Sequence, residues 1–370
     1  MTKMFLQLLV PAILFTATIQ AQTTRVSNFH IGFIYPISSN GSLANEYTNH
    51  CSFHAIAGVS RNEEGATFAG FANMVRNNTK GGQFAGFSNY IGGNAKGAQI
   101  AGFMNYIRHQ ATGVQAAGFA NFTGNAQGAQ LAGFANISVD SADVQLSGFI
   151  STTKYAKVQA SGFISAAKEV KGIQLAGFVN VAKHVSGSQV AGFINTAKTV
   201  KGAQIGVINI ADSSEYPIGL VNIVKNGEMS IGVSMDETVT GLVSFRSGGK
   251  HLYGILGIGL NMKHAEVLHA LEGGLGLHVP VTKHFRVNME GTVLALTDFE
   301  VGRYLRSSYR LLPALSIGWI ELFAGPSINC VTLSHTKGQD LVNSYAYERK
   351  RYQNFTGIYF GGMAGVQFRL

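Results

Sequence analysis

The chain has 370 residues, of which 46 are Gly and only 6 are Pro, and charged residues make up 13% of it. Soluble domains usually contain about 25% charged residues and about 7% Gly, so this chain is poor in charge and rich in glycine. Its hydrophobic content of 46% excludes a disordered chain, because enough apolar surface is present to build a core. Collagen is also excluded, since Gly does not recur at every third position.

Residues 1–21 are predicted to be a secretory signal peptide. Lys3 precedes the apolar stretch Met4–Phe15, and Ala21 is a small residue at a cleavage position before Gln22. A transmembrane anchor is the alternative, but it needs about 20 apolar residues, and polar residues interrupt this stretch too early. No other uncharged apolar run approaches that length, so any membrane crossing must use strands.

Internal repetition is the strongest signal in the chain. The block Gln-x-Ala-Gly-Phe-x-Asn recurs every 14 to 16 residues, and degenerate copies such as Gln145–Ser151 carry Ser in place of Asn. The central glycines are Gly70, Gly86, Gly102, Gly118, Gly133, Gly148, Gly162, Gly177, Gly192 and Gly206. This step is too short for helix-pair repeats, which need about 33 residues or more. Each unit is expected to hold one strand of about seven residues, with Gln, Ala, Phe and Asn on one side.

Two arrangements of these units are considered. In a β-solenoid, successive units stack in parallel about 4.8 Å apart and equivalent residues form ladders. In a barrel wall, each unit would be one antiparallel strand, and alternate units should differ in turn length. They do not differ in this way, and aromatic girdles are missing, so a solenoid is favoured. A narrow interior would then explain the Ala-Gly pair.

Lysines recur in the repeat turns. Between Lys154 and Lys201 there are seven Lys and one acid, Glu169. A basic ridge of this kind suits a polyanion such as an acidic glycan or lipopolysaccharide phosphates. The alternative is a solvated face that prevents edge-to-edge pairing of sheets. Nucleic acid is not expected, because no aromatic stacking platform accompanies the lysines. The candidate contact residues are Lys168, Lys171, Lys183, Lys198 and Lys201.

From residue 228 onward the segments lengthen and alternate strictly, as where Phe285, Val287 and Met289 alternate with Arg286 and Asn288. An apolar face opposite a polar face over this length is typical of a membrane β-barrel. A soluble sandwich is the alternative. Eight segments are predicted, at 228–236, 239–247, 251–262, 265–281, 284–298, 306–318, 320–335 and 355–370. Eight strands are enough to close a small barrel.

The last segment resembles the C-terminal assembly signal of bacterial outer-membrane barrels. Gly365, Phe368 and Leu370 stand at its Gly, aromatic and terminal apolar positions, although Leu370 departs from the usual terminal aromatic residue. This resemblance implies contact with outer-membrane lipid and with the barrel-assembly machinery.

A wider resemblance covers most of the chain. The opening strand Phe29–Pro36, the Gly-x-Gln-x-Ala-Gly-Phe-x-Asn units and the long C-terminal strands resemble the exported surface-repeat proteins of the leptospiral type, also found in Bacteroidetes. Membership implies a protein of the cell envelope or cell surface. The family carries no defined enzymatic activity to transfer.

Motifs of enzymes and cofactor sites are not found. The sequence has no His-Glu-x-x-His zinc motif, no Gly-x-Ser-x-Gly elbow and no phosphate-binding loop. His264, Glu266, His269 and Glu272 form the densest titratable cluster, but strand geometry puts His264 and His269 on opposite faces, which argues against one metal site. Cys51 and Cys330 are two isolated cysteines that could pair in an oxidising compartment or remain buried thiols.

The sequence therefore predicts an all-β, non-enzymatic envelope protein without a cofactor. Its parts are expected to be a signal peptide at 1–21, an N-terminal strand segment at 22–54, a repeat region at 55–227 and a barrel at 228–370. The expected role is structural or adhesin-like binding in the outer membrane. The alternative is a transport channel in which the repeats are themselves barrel strands. The repeats would face the cell surface if Phe29–Pro36 were the first barrel strand, or the periplasm if that strand caps the solenoid.

Overall fold

The computed structural model describes residues 25–263, 268–297, 303–334, 339–351 and 354–370. They form an all-β fold in two parts, a parallel β-solenoid of about 12 turns with a period of about 15 residues, and a closed antiparallel barrel of eight strands. The predicted fold class is therefore confirmed. The predicted signal peptide, His264 and Glu266 lie outside the described residues.

The solenoid is one sheet of twenty strands that winds around a narrow core. The strands are β1 (Arg25–Ile34), β2 (Ile37–Ser38), β3 (Tyr47–Ser60), β4 (Asn62–Ala69), β5 (Ala72–Val75), β6 (Thr79–Ala85), β7 (Ser88–Ile91), β8 (Ala95–Ala101), β9 (Met104–Ala117), β10 (Ala120–Ala132), β11 (Ala135–Ser138), β12 (Ser141–Ser147), β13 (Ile150–Ser161), β14 (Ile164–Ala176), β15 (Val179–Val181), β16 (His184–Val185), β17 (Ser188–Ala191), β18 (Ile194–Ile205), β19 (Ile208–Ile218) and β20 (Val221–Val224). A 3₁₀ turn, η1 (Gly41–Glu46), follows β2.

Neighbouring coils pair in parallel and place equivalent residues above one another. In β9 and β10, Asn105 lies beside Asn121 and Gln115 beside Gln130. This register is the one expected of a solenoid, so the alternative in which the repeats are antiparallel strands of one large barrel is wrong.

The repeat block contains a corner that the sequence interpretation missed. The chain bends at Gly133–Phe134, between β10 and β11, instead of continuing as one seven-residue strand. Gln130 and Asn136 are fully buried, whereas Phe134 is 40% exposed. The prediction that Phe shares a face with Gln and Asn is therefore wrong, because strict alternation ends at the corner.

The corner glycines are required by the neighbouring coil and not by a narrow interior. A Cβ added at Gly118 would overlap the carbonyl oxygen of Gly102, the equivalent residue one coil earlier. Gly133 and Gly148 are placed in the same way against the preceding coil. A side chain at this corner would therefore push two coils apart.

The first strand belongs to the solenoid. β1 pairs in parallel with β3, with Phe29 beside Cys51 and Ile31 beside Phe53. The alternative in which Phe29–Pro36 is the first barrel strand is therefore wrong, and the array begins at this strand.

The barrel is closed by antiparallel pairing of its first and last strands. Its strands are β21 (Glu228–Asp236), β22 (Thr240–Gly248), β23 (Leu252–Asn261), β24 (Leu268–Pro280), β25 (Phe285–Thr297), β26 (Arg303–Ile317), β27 (Ile320–Ser334) and β29 (Asn354–Arg369). A short 3₁₀ turn, η2 (Gln339–Leu341), and β28 (Tyr347–Arg351) lie between β27 and β29. The connection between β27 and β29 thus contains a strand, since β28 pairs with β29. Neither 3₁₀ turn could cross a membrane, and the described residues include no other helix.

Charged side chains fill the barrel interior. Arg310 Nη2 lies 2.5 Å from Glu272 Oε1, and Arg246 Nε lies 2.9 Å from Glu290 Oε1. All four residues are at most 4% exposed. The remaining lumen holds an apolar cluster that includes Leu312. An eight-stranded barrel is just wide enough for side chains to fill it, and this one is filled.

We predict that Gly118→Ala lowers the free energy of unfolding of the solenoid by about 1–3 kcal/mol, because the new methyl group overlaps the backbone of the preceding coil. Urea denaturation in detergent micelles, followed by circular dichroism, measures this change. Ala116→Val is the matched control, since Ala116 occupies an outward column that already holds Ile100 and Leu131. Equal midpoints for Gly118→Ala and Ala116→Val would contradict the assignment.

Candidate functional site

Polar ladders run through the solenoid interior and hold the coils in register. Asn105 Nδ2 donates to Asn121 Oδ1 at 2.9 Å and to the carbonyl oxygen of Ala116 at 2.8 Å. Gln145 Nε2 donates to Gln130 Oε1 at 2.9 Å. Each net hydrogen bond of this kind contributes about 1 kcal/mol, and an unmatched buried amide would cost more. The repeated Gln and Asn are thus structural.

The degenerate repeats keep the interior satisfied by a paired change. Where Ser151 and Ser165 replace Asn, the Ala before the corner becomes Ser147 or Ser161. The two hydroxyls then bond across the corner, Ser161 Oγ to Ser165 Oγ at 2.7 Å. The Asn ladder resumes at Asn180 and ends on Asn222.

The five predicted lysines lie on one face of the solenoid, here named the basic face and formed by residues 168–171, 183–186 and 198–201. Lys168, Lys183 and Lys198 form one column, since the Lys183 amide donates to the Lys168 carbonyl and the Lys198 amide to the Lys183 carbonyl, both at 2.9 Å. Lys171 and Lys201 lie in a second column with Ser186 between them. All five side chains are exposed.

Carboxylates pair with lysines only at the ends of these columns. Lys154 lies 3.8 Å from Asp140, and Lys157 lies 2.8 Å from Asp143. At the other end Lys225 lies 2.6 Å from Asp212, and its hydrogen bond and charge lower the pKa of that carboxyl. Within the described part of the chain, none of the five predicted lysines forms an ion pair. The middle of the basic face is therefore available to an external anion.

A second surface, the Phe ridge, was missed at the sequence level because Phe was placed on the same side as Gln and Asn. It consists of Phe71, Phe87, Phe103, Phe119, Phe134, Phe149, Phe163, Phe178 and Phe193. Neighbouring rings are stacked with centroids 4.7 to 5.2 Å apart. The faces of the rings cover one another, so the ridge presents apolar ring edges to its surroundings.

Apolar columns flank the Phe ridge on both sides. The column before the corner includes Phe68, Ile100, Leu131, Leu146 and Ile205, and the column after it includes Met74, Tyr90, Val181, Ile210 and Ile223, all at least 38% exposed. Shallow grooves floored by the Ala-Gly pairs lie beside the first column. A continuous exposed apolar surface of this extent is unusual for a soluble monomer and marks a contact surface.

The residues of the predicted assembly signal lie on the last barrel strand, on two faces. Phe368 and Leu370 point outward, and the Phe368 ring lies 5.2 Å from that of Trp319. Gly365 points into the lumen, where an added Cβ would lie 2.6 Å from the Phe323 ring and from the carbonyl oxygen of Val233.

The titratable cluster and the two cysteines that the sequence singled out do not form a site among the described residues. Glu272 lies in the barrel lumen against Arg310, while His269 is exposed on the outer side of the same strand. The part of the chain that the structure describes has no group of three or more His, Cys, Asp or Glu arranged to hold a metal ion. Cys51 and Cys330 are free thiols, one in the first coils and one in the barrel.

A buried polar cluster that the sequence did not reveal closes the first coil. His30 Nε2 lies 3.0 Å from Ser38 Oγ, and Asn49 Nδ2 lies 3.2 Å from His30 Nδ1 and donates to Glu63 at 3.0 Å. Because Nδ1 accepts this bond, Nε2 carries the proton and donates to Ser38. A general base would need the opposite tautomer, so this pair does not activate Ser38.

Burial shifts the titration of this cluster. It raises the pKa of Glu63 and lowers that of His30. Burial, together with the nearby charge of His30, lowers the pKa of His54 to about 4. The two imidazole rings are 4.5 Å apart, so both cannot be charged without repulsion. The cluster is thus an end cap that is built around neutral histidines.

Comparisons with protein-family models, with curated proteins and with solved structures find no match for this chain.

We predict that the first coils lose stability as the pH falls from neutrality to about 4. The folded-state pKa of His54 lies below its ordinary value of 6.5, so its contribution is present above pH 6.5 and is lost as the pH falls through about 4. Glu63 has the opposite effect on stability. Burial raises its pKa, so protonation of its carboxyl at lower pH favours the folded state.

Hydrogen exchange of the β1 and β3 amides at neutral pH and near pH 4, corrected for intrinsic rates, measures this effect. In His54→Gln the loss of protection on acidification should be smaller. His109→Gln, at an exposed histidine of the same solenoid, is the control and should behave as the wild type. An unchanged pH dependence in His54→Gln would contradict the assignment.

Proposed function

We propose that this protein is a non-enzymatic outer-membrane protein in which the barrel is the anchor and the solenoid is a binding scaffold. The observation that carries the proposal is the polarity of the barrel, whose outer face is apolar and whose charges point inward. Leu271, Leu275 and Met289 are 45% to 53% exposed, whereas Glu272 and Glu290 on the same strands are buried. Water does not favour this distribution, and a bilayer does.

The connections between barrel strands support a periplasmic solenoid. Short turns at 249–251, 281–284 and 318–319 lie at the end where the solenoid enters, and Leu370 lies at that end. At the other end β21 and β22 are joined by the short segment 237–239, and the remaining strands are joined by the longer stretches 262–267, 298–302 and 335–353. Bacterial outer-membrane barrels have short periplasmic turns and longer extracellular loops. Of the two placements left open by the sequence, this pattern favours the periplasmic one.

The basic face supports a linear polyanion, such as an acidic glycan, as the partner of the scaffold. Lysines that stack at the coil spacing of about 4.8 Å repel one another, and like charges on neighbouring strands are destabilising. An anion that follows the column would remove this repulsion while pairing with several coils at once.

The alternative function, a transport channel, has less support. The repeats form a solenoid and add no strands to the barrel. The described lumen is filled by ion pairs and by the apolar cluster around Leu312.

We predict that the protein fractionates as a heat-modifiable outer-membrane species that urea does not extract. Gly365→Leu should reduce the folded, fast-migrating form, because a side chain there would enter the space of the Phe323 ring. Ala364→Leu is the matched control, since Ala364 is exposed on the outer face. Complete extraction of the wild type by urea would contradict a membrane barrel.

We also predict that Lys168→Gln combined with Lys183→Gln weakens binding of the detergent-solubilised protein to polygalacturonate, a linear acidic glycan. The expected loss is roughly two- to thirtyfold at low salt, from about 0.2–1 kcal/mol for each exposed pair, and it should shrink as salt is added. Lys250→Gln combined with Lys283→Gln removes the same charge from barrel turns and should leave binding unchanged. Equal affinities for the two double variants would overturn the assignment of the basic face.

A further inference from the structure

The solenoid ends on the outer face of the barrel wall. The backbone amide of Asn222 donates to Ser247 Oγ, and Asn222 Nδ2 donates to the Ser247 carbonyl, both at 2.9 Å. Ser247 pairs with Gly254 across β22 and β23, and both alternate with Arg246 and Tyr253, which point into the lumen. The last coil thus covers the side of the barrel and not its open end.

The barrel wall acts as the next layer of the solenoid. A Cβ added at Gly254 would overlap the carbonyl oxygen of Gly219, which is the same clash that Gly118 would make with Gly102. Within the solenoid, the direction from such a glycine Cα to its added Cβ runs along the stacking axis. At Gly254 the same direction is the outward normal of the barrel wall. The solenoid axis therefore runs away from the wall, and in a membrane-spanning barrel this direction lies along the membrane surface.

The Phe ridge leads to the outer face of the barrel wall. Its column continues through Val207 to Leu220 in the last coil. Leu220 Cδ2 lies 3.7 Å from the position that a Cβ on Gly273 would occupy, and Gly273 pairs with the outward-facing Leu256. The ridge thus begins on the part of the wall that faces lipid in the proposed function.

The basic face lies toward the rim of the barrel. Pro217 packs against Gly249 in the β22–β23 turn. The column of Lys183 and Lys198 leads to Asp212 and Lys225, close to the start of β21 at Glu228. The solenoid is thus a rod with the apolar Phe ridge on one side and the cationic basic face on another. This distribution matches the polarity of a membrane interface.

We propose that the solenoid lies along the periplasmic leaflet of the membrane that holds the barrel, with the Phe ridge and its flanking apolar columns inserted among the lipid chains. This proposal rests on the proposed function, because it requires the barrel to span the membrane. The ridge would then contact lipid over eight coil spacings, or roughly 38 Å. The stacked rings offer edges and not faces, which suits lipid chains better than sugars or bases.

Quenching by brominated lipids tests the proposal on the full chain in phosphatidylcholine vesicles. The wild type reports on the barrel through Trp319, its sole tryptophan, which is 63% exposed at a turn on the solenoid side. The double variant Trp319→Phe, Phe134→Trp reports on the ridge, and Trp319→Phe, Lys183→Trp reports on the basic face. Lipids brominated near the headgroup end of the chains should quench the ridge variant about as strongly as the wild type. They should leave the basic-face variant unquenched.

Three results would count against the inference or its premise in different ways. Strong quenching of Trp319 with an unquenched ridge variant would overturn the inference and leave the membrane barrel intact. A blue-shifted but unquenched ridge, accompanied by a dimer on crosslinking, would assign the ridge to a second copy of the chain. Absence of quenching in the wild type would remove the membrane barrel itself. Phe149→Trp in the same background provides a second ridge reporter if the first variant folds poorly.

Discussion

The interval between neighbouring strands of a parallel sheet, about 4.8 Å, governs the solenoid and much of what surrounds it. At this interval an Asn amide reaches the next Asn, a phenyl ring stacks on the next ring, and no room remains for a Cβ at the corner. The same interval brings lysines into columns of like charge. This one spacing thus explains the buried Asn ladder, the glycines at the corner and the exposed columns of Phe and Lys.

The regular features of this fold could be predicted from the sequence because they depend on period. The repeat step indicated a stack of short coils, and strict alternation located barrel strands such as 228–236 and 320–335 to within one residue of their observed bounds. The column of Lys168, Lys183 and Lys198 was predicted because residues one period apart lie above one another.

Features that depend on a local bend or on distant contacts could not be predicted. Gly133–Phe134 looks like the middle of a strand, and only the packing of the preceding coil shows that it is a corner. Phe134 was therefore placed on the same side as Gln130 and Asn136, and the exposed Phe ridge was not predicted. The cap around His30 and Glu63 joins residues from four strands, and no spacing rule connects them. The contact of Asn222 with Ser247 likewise depends on how two folded parts meet.

The two parts of the chain share one organisation of polarity. The barrel hides its arginines and carboxylates in a lumen and exposes leucines, and the solenoid hides its amides and exposes phenyl rings and aliphatic side chains. In both, hydrogen-bonded polar groups lie inside and apolar groups lie outside along a defined surface. The lysine columns are the exception, and they lie on the side of the solenoid away from the Phe ridge.

Each end of the solenoid is closed by something that is not a repeat: a polar cap around His30 at one end and the barrel wall at Gly254 at the other. Whole coils between these ends could be gained or lost without disturbing either closure, because interior coils pair with their neighbours through the same parallel backbone register. The number of repeats therefore determines the length of the solenoid. Each unit of about 15 residues changes the distance that the solenoid extends from the barrel by about 4.8 Å. A chain with more or fewer copies would differ in span while keeping the same cross-section and the same barrel.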